Sequence, residues 1–112
     1  MRSPEISELA KDAEREFRGA LGEHFRTASC ETFGESHYRG GFRLTLADHQ
    51  SKCEVLYSDM QLEVSFNGTE IFGVNVHSGF EGNMFSREHL RECLPRIAAS
   101  SIAEAKSSHA RG

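Results

Sequence analysis

The sequence predicts an α+β fold. It reads as a single two-layer domain, an antiparallel meander of about five strands with N-terminal and C-terminal helices packed on one face. Three observations predict it. Residues 60–77 hold two alternating apolar runs joined by Asn67-Gly68, a strong hairpin signal. Stretches near each end carry apolar residues at helical spacing. Between them lie short alternating runs split by turn residues, and connections this short favour antiparallel neighbours.

Taken in order, Ser3-Pro4-Glu5 predicts a helix start, with Ser as N-cap, Pro at the first helical position and an acid in the first turn. Ile6, Leu9, Ala10, Ala13, Phe17, Ala20, Leu21 and Phe25 form one apolar stripe. The other face is charged, with Glu8–Asp12 and Lys11–Arg15 as repulsive pairs and Glu14–Arg18 as a favourable one. Gly19 and Gly22 end the helix near residues 22–25.

Residues 27–33 read as a polar edge strand, and 34–41 as a loop rich in glycine. Phe42, Leu44 and Leu46 alternate with Arg43, Thr45 and Ala47, giving a second strand with one buried face. Residues 48–51 turn into a third strand, 52–58, with Cys53, Val55 and Tyr57 inward and Leu56 outward.

The hairpin register is argued from the faces. A two-residue turn at Asn67-Gly68 pairs Phe66 with Thr69 but turns Phe72, Val74 and Val76 away from the apolar face of Met60, Leu62, Val64 and Phe66. A three-residue loop, 66–68, pairs Ser65 with Thr69, Leu62 with Phe72 and Met60 with Val74, and keeps every even-numbered apolar residue on one face. A one-residue slip flips every side chain, so the three-residue loop is expected, with Ile71 exposed beside the turn.

After a loop at 78–85, Ser86 caps a helix with apolar positions Leu90, Leu94, Ile97, Ala98, Ile102 and Ala105. Phe85 is expected to staple back against Leu90. Pro95 falls inside the pattern, and because the stripe stays in phase a single kinked helix is expected rather than two. Residues 107–112 read as a polar, fraying tail. The element order is therefore α-β-β-β-β-β-α. Arg43, Thr45, Lys52, Glu54, Gln61, Glu63 and Ser65 would face water on the uncovered side.

Length, 38% hydrophobic and 27% charged residues fit one ordinary globular domain, 1–112. No apolar run reaches about 18 residues, so no membrane span is expected, and no apolar leader segment is visible. A cytoplasmic location follows as the expectation. The net charge is −4, and residues 26–80 carry seven acids against four bases. Nucleic acid binding needs a basic footprint, so the balance points to a neutral or basic protein partner. The three cysteines, Cys30, Cys53 and Cys93, are odd in number and widely spaced, and read as reduced core thiols.

Six histidines raise the question of a metal. His89 and Cys93 lie four apart on one helical face, and His77 or His24 could supply a third ligand. No HExxH, paired CxxC, EF-hand, nucleotide-binding or nucleophile signature is present. His89 and Cys93 therefore read as boundary residues of the stripe, and no cofactor and no enzymatic activity are expected. The alternative is a ligand or metal site, or an enzyme, between the sheet and the last helix.

The clearest functional signal is two loops rich in interface-type residues. His37, Tyr38 and Arg39 lie on one, and Phe80, Met84 and Phe85 on the other. His37, Tyr38, Arg39 and Phe80 are the expected partner-binding residues. The sequence thus reads as a small acidic protein-binding module of the inhibitor, immunity, adaptor or chaperone type. A homodimer through an edge strand or an exposed helix face is the further expectation.

Overall fold

The structure, a computed structural model, describes residues 4–36, 39–74, 76 and 81–111. Its elements follow the predicted order: α1 (Ile6–Leu21), β1 (Arg26–Phe33), β2 (Gly41–Ala47), β3 (Lys52–Ser58), β4 (Gln61–Phe66), β5 (Thr69–Phe72) and α2 (Arg87–Arg111). A short 3-10 turn at Glu81–Asn83 precedes α2. The strands form one antiparallel sheet in chain order, and both helices contribute to a core on one side of it. Among the described residues no helix is long and apolar enough to cross a membrane.

The predicted stripe of α1 is buried at Ile6, Leu9, Ala10, Ala13, Phe17 and Leu21. The helix starts later than expected, with Glu5 rather than Ser3 at the N-cap; Ser3 lies outside the described residues. Pro4 precedes the cap and is buried. Gly22, at φ 114°, ends the helix and donates its N–H to the Arg18 carbonyl. The repulsive pair Glu8 and Asp12 is reconciled by α2: Arg91 reaches Asp12 at 3.0 Å and Glu8 at 3.9 Å. At the other end, Lys106 Nζ donates to the Ala20 carbonyl at 3.1 Å. Start meets start and end meets end, so the helices run side by side in the same direction.

Phe42, Leu44, Leu46, Cys53, Val55, Tyr57, Leu62 and Val64 are buried under the helices. On the uncovered side the register aligns Glu31, Arg43, Leu56 and Glu63 in one row, and Ser29, Thr45, Glu54 and Ser65 in the next. Gly41 is required where it sits: a Cβ there would run into the Tyr57 carbonyl.

The β4–β5 hairpin departs from the expected three-residue loop. Phe66 pairs with Thr69 and Ser65 with Glu70 around a two-residue turn, with Asn67 at φ 51° and Gly68 at φ 84°. This is the left-handed pair that matches the twist of the strands. The register then shifts by one residue, so that Val64 faces Phe72. Ile71 is the extra residue of a β-bulge, half-buried against the core rather than exposed. The bulge does what the longer loop was expected to do: it returns Phe72 to the core face. Met60 is likewise not in β4. It forms, with Asp59, a second two-residue turn with both φ values positive. Val74 is exposed instead of facing Met60.

α2 is one continuous helix through Pro95, and it extends past Ser107 to Arg111 where a polar tail was expected. The Ser86 hydroxyl accepts from the His89 N–H at 3.2 Å, as predicted for the N-cap. Leu90, Leu94, Ile97, Ala98, Ile102 and Ala105 are all buried, and so is Phe85. Ser101 also lies in the stripe, tolerated because its hydroxyl donates to the Ile97 carbonyl at 2.6 Å. Tyr57, buried between sheet and α2, donates its hydroxyl to the Phe85 carbonyl at 2.7 Å.

The cysteines divide. Cys53 and Cys93 are core residues, and burial pushes the Cys53 thiol up to about 12. Cys30 is exposed, contrary to expectation, because the edge strand that carries it lies at the margin of the helix layer and is exposed along most of its length.

Two predictions follow from this packing. Removing the Tyr57 hydroxyl breaks a buried hydrogen bond, so Tyr57→Phe should lower unfolding free energy by about 1–2 kcal/mol in urea titrations. At the β2–β3 turn, Asp48 Oδ1 accepts from the N–H groups of Gln50 (2.7 Å) and Ser51 (2.6 Å), which holds the carboxyl below its usual range. A depressed carboxylate stabilises the fold above its unfolded value and loses that contribution as pH falls through the folded one. Asp48→Ala should therefore lower the melting temperature at neutral pH, with the gap to the parent chain closing below about pH 4.

Candidate functional site

The loop between β1 and β2 is held at both ends. At its start, the Glu35 carboxylate accepts from the Ile6 N–H at 2.8 Å and the Ser7 N–H at 3.4 Å. It thus caps a helix that starts without a side-chain cap of its own. The same carboxylate pairs with Arg87 Nη1 at 3.2 Å, while Arg87 Nη2 donates to the Glu35 carbonyl at 2.9 Å. One side chain of the loop therefore joins the first turns of both helices.

At its far end, Arg39 pairs with Asp59 in the β3–β4 turn at 3.6 Å, and the Asp59 N–H donates to the Arg39 carbonyl at 3.3 Å. Between the two anchors the loop closes on a neck of glycines. A Cβ at Gly40 would overlap the Gly34 carbonyl, so the two backbones approach as only glycine permits. This neck carries His37 and Tyr38, which lie outside the described residues.

The second loop returns to the same end of the sheet. Met84 bridges to Gln61, whose side-chain amide donates to Met84 Sδ at 3.3 Å, and the Phe85 N–H donates to the Met60 carbonyl at 2.6 Å. Met84 is 47% exposed, beside a shallow cleft lined by Leu56, Ser58, Asp59, Gln61 and Glu63. Phe80 and His77 lie outside the described residues. The described parts of the two loops lie at one end of the sheet, with Glu35 bonded to Arg87, Arg39 to Asp59 and Gln61 to Met84.

The candidate metal pair is placed in the helix–sheet layer. His89 is half-buried, edge-on to the Phe85 ring at 5.4 Å, and Cys93 is buried with Arg96 Nη2 3.9 Å from its sulfur. Cys93 is thus a core residue rather than a boundary one. His24 lines a separate cleft with Glu23, Arg26, Asp48 and His49. Among the described residues no group of three His, Cys, Asp or Glu side chains could hold a metal ion. Around His89 and Cys93 the layer is filled by Phe85, Leu90, Leu94 and Ile97.

Sequence reasoning missed Glu35. Glu35 carried no signal, because a residue that caps a helix 29 positions away leaves no local pattern. Met84 was legible as a loop apolar residue, but its exposure depends on the bridge to Gln61. Comparison with protein-family models, curated proteins and solved structures finds no match.

The anchoring role of Glu35 is testable. Glu35→Ala removes a helix cap and a half-exposed ion pair together, and should cost about 1–2 kcal/mol of stability by urea titration. Glu35→Gln keeps an acceptor for α1 and should lose less. Limited proteolysis within residues 34–41 should accelerate in the alanine variant before global unfolding does.

Proposed function

We propose that this chain is a small non-enzymatic protein-binding module that engages its partner with the loop end of the sheet. The observation that supports this is the double anchoring of the β1–β2 loop, through Glu35 to both helices and through Arg39 to Asp59. A loop pinned this way loses less entropy on binding than a free one. Arg39 on this loop and Met84 on the second are exposed and of types that concentrate in interface cores. Sequence adds His37, Tyr38 and Phe80 on the same two loops.

With a net charge of −4, the chain favours a neutral or basic protein over an acidic one or a nucleic acid. The inhibitor, immunity, adaptor and chaperone roles all fit a module that works by holding or occluding a surface. The alternative of a small-molecule or metal site under α2 has less support, since the described residues there are apolar core.

The test is affinity capture from the source cell with tagged parent chain, a Tyr38→Ala/Arg39→Ala variant, Met84→Ser, and Lys11→Glu on the far face of α1 as control. The parent and the control should retain one stoichiometric protein. Calorimetry with that protein should show the double variant weakened tenfold or more, about 1.4 kcal/mol, and Met84→Ser weakened in the same direction. Binding unchanged by all loop variants, or no stoichiometric partner, would overturn the proposal.

A further inference from the structure

The edge of the sheet at β1 is built differently from the edge at β5. β5 has four residues, contains a bulge and runs into a further bridge between Gly73 and Val76. Both edge strands carry a bulge, and it is the shortness of β5 that discourages pairing with another chain. β1 has eight residues, pairs among the described residues with β2 alone, and is exposed along almost its whole length. It has no proline and no lysine.

The register shows which backbone groups β1 offers. The two-residue turn at Asp59-Met60 makes Ser58 and Gln61 a hydrogen-bonded pair. Residues of an antiparallel strand direct their N–H and C=O alternately to one neighbour and the other. Carried from β4 across β3 and β2 through the observed pairs, this alternation ties Glu31 to Arg43 and Ser29 to Thr45. It leaves the N–H and C=O of Thr27, Cys30 and Thr32 directed away from β2, at the open edge.

The same strand is self-complementary about Cys30. Ala28 is the extra residue of a bulge, since Thr27 faces Leu46 and Ser29 faces Thr45. The remaining ladder residues are Arg26, Thr27, Ser29, Cys30, Glu31, Thr32 and Phe33, with Cys30 at their centre. Folded onto itself by a two-fold axis at Cys30, the strand sets Ser29 against Glu31, Thr27 against Thr32 and Arg26 against Phe33. Every match is between residues of one face: Cys30, Thr27 and Thr32 share the helix side with Leu44, Leu46 and Phe42, and the other pairs share the open side with Arg43, Thr45, Ala47 and Gly41.

The three outward residues fall opposite outward residues, Cys30 on Cys30 and Thr27 on Thr32 twice, which allows about six backbone hydrogen bonds. No like charges meet. Arg26 would lie over the Phe33 ring, which is 42% exposed in the single chain, and diagonal to Glu31 of the second copy.

We infer that β1 pairs antiparallel with β1 of a second copy of this chain, joining two sheets into one ten-stranded sheet with Cys30 on the two-fold axis. This interface is isologous and closed, so it makes a dimer and no fibre. It uses β1 alone and stands independently of the partner-binding reading. In the dimer the two loop ends lie at opposite poles of the joined sheet, because the paired strands run in opposite directions.

The test needs only the purified full chain. Analytical ultracentrifugation over a concentration series should show a reversible dimer. Opposed residues of a hydrogen-bonded pair have Cα atoms about 5.5 Å apart, inside the disulfide's Cα range, and a shift of about 1 Å between the two edge strands brings the Cβ atoms into reach. Diamide should therefore convert the dimer to a Cys30–Cys30 disulfide. Each thiol gives up its proton and one electron as the S–S bond forms, and diamide is reduced to the hydrazine. Cys53 and Cys93 are buried, so Cys30 is the reporter, and Cys30→Ser should abolish the cross-link. Burial and the nearby Glu14 carboxylate push the Cys30 thiol up, so the reaction is run near about pH 8.5.

Thr32→Pro removes an outward N–H without touching the ladder to β2. It should weaken the dimer at least tenfold and slow cross-linking while far-UV circular dichroism stays unchanged. Should that variant fail to fold, Cys30→Lys serves: beside Glu14 it suits the single chain, and in the dimer it sets two ammonium groups face to face. A monomer at every concentration would overturn the inference. So would a dimer indifferent to both variants, or one whose Cys30 thiols do not cross-link.

Discussion

A sheet covered on one face must bring most of its large apolar side chains to that face, and the rest of this structure follows from meeting that constraint. Strand side chains alternate strictly, so a single unmatched residue in a strand or turn would bury polar groups along the rest of the run. The chain meets the constraint with two bulges, at Ala28 in β1 and Ile71 in β5. The second lets the hairpin keep the turn preferred by Asn67-Gly68 and still place Phe72 against Phe85, with ring centroids 6.4 Å apart. Local turn chemistry and global burial would otherwise conflict. The bulge removes the conflict at the cost of one disrupted ladder step, and Ile71 partly offsets it by packing against the core.

What was legible in the sequence was whatever is periodic. Both helical stripes, the inward sets of β2 and β3, the outward Leu56 and the Ser86 cap are statements about neighbours within a few residues. The hairpin was half legible: its existence and the importance of face consistency were evident, but a bulge has no compositional mark here, so the phase correction was assigned to the turn. Cys30 failed for a related reason. Residue type argues for burial, yet burial at an edge depends on whether a helix extends over it, which is a property of the whole layer. The candidate site was legible as loops of interface-type residues. The side chains that tie those loops down, Glu35, Arg87 and Asp59, were not, because each acts across a large sequence separation.

The parallel arrangement of the two helices gives the loop end its character. Because α1 and α2 start at the same end of the sheet, the unpaired N–H groups of their first turns gather there, and an acidic side chain between them is stabilised by both. Glu35 occupies that place, with Arg87 from the first turn of α2 completing the pairing. The neighbouring pair Arg91 with Asp12 joins the second turns of the same two helices. The loop is thereby attached to the first turns of both helices as well as to its flanking strands, which is the arrangement that lets exposed residues keep a fixed geometry.

The bulge at Ala28 links the packing problem to the edge. Without it, Arg26 and Thr27 would exchange faces, sending Arg26 toward the helices and Thr27 away from Glu14, whose carboxylate accepts its hydroxyl at 2.6 Å. With it, the ladder loses one residue, and the strand that remains has an odd number of positions with its middle at Cys30. A two-fold pairing of antiparallel strands about an axis normal to the sheet requires residues of the same face to meet, which holds about a residue centre and fails by one step on a strand with an unmatched bulge. Here the bulge of each copy falls between the Thr27–Thr32 and Ser29–Glu31 pairs and is skipped on both sides alike. The bulge that satisfies burial within one chain therefore also sets the middle of the open edge, placing it at Cys30.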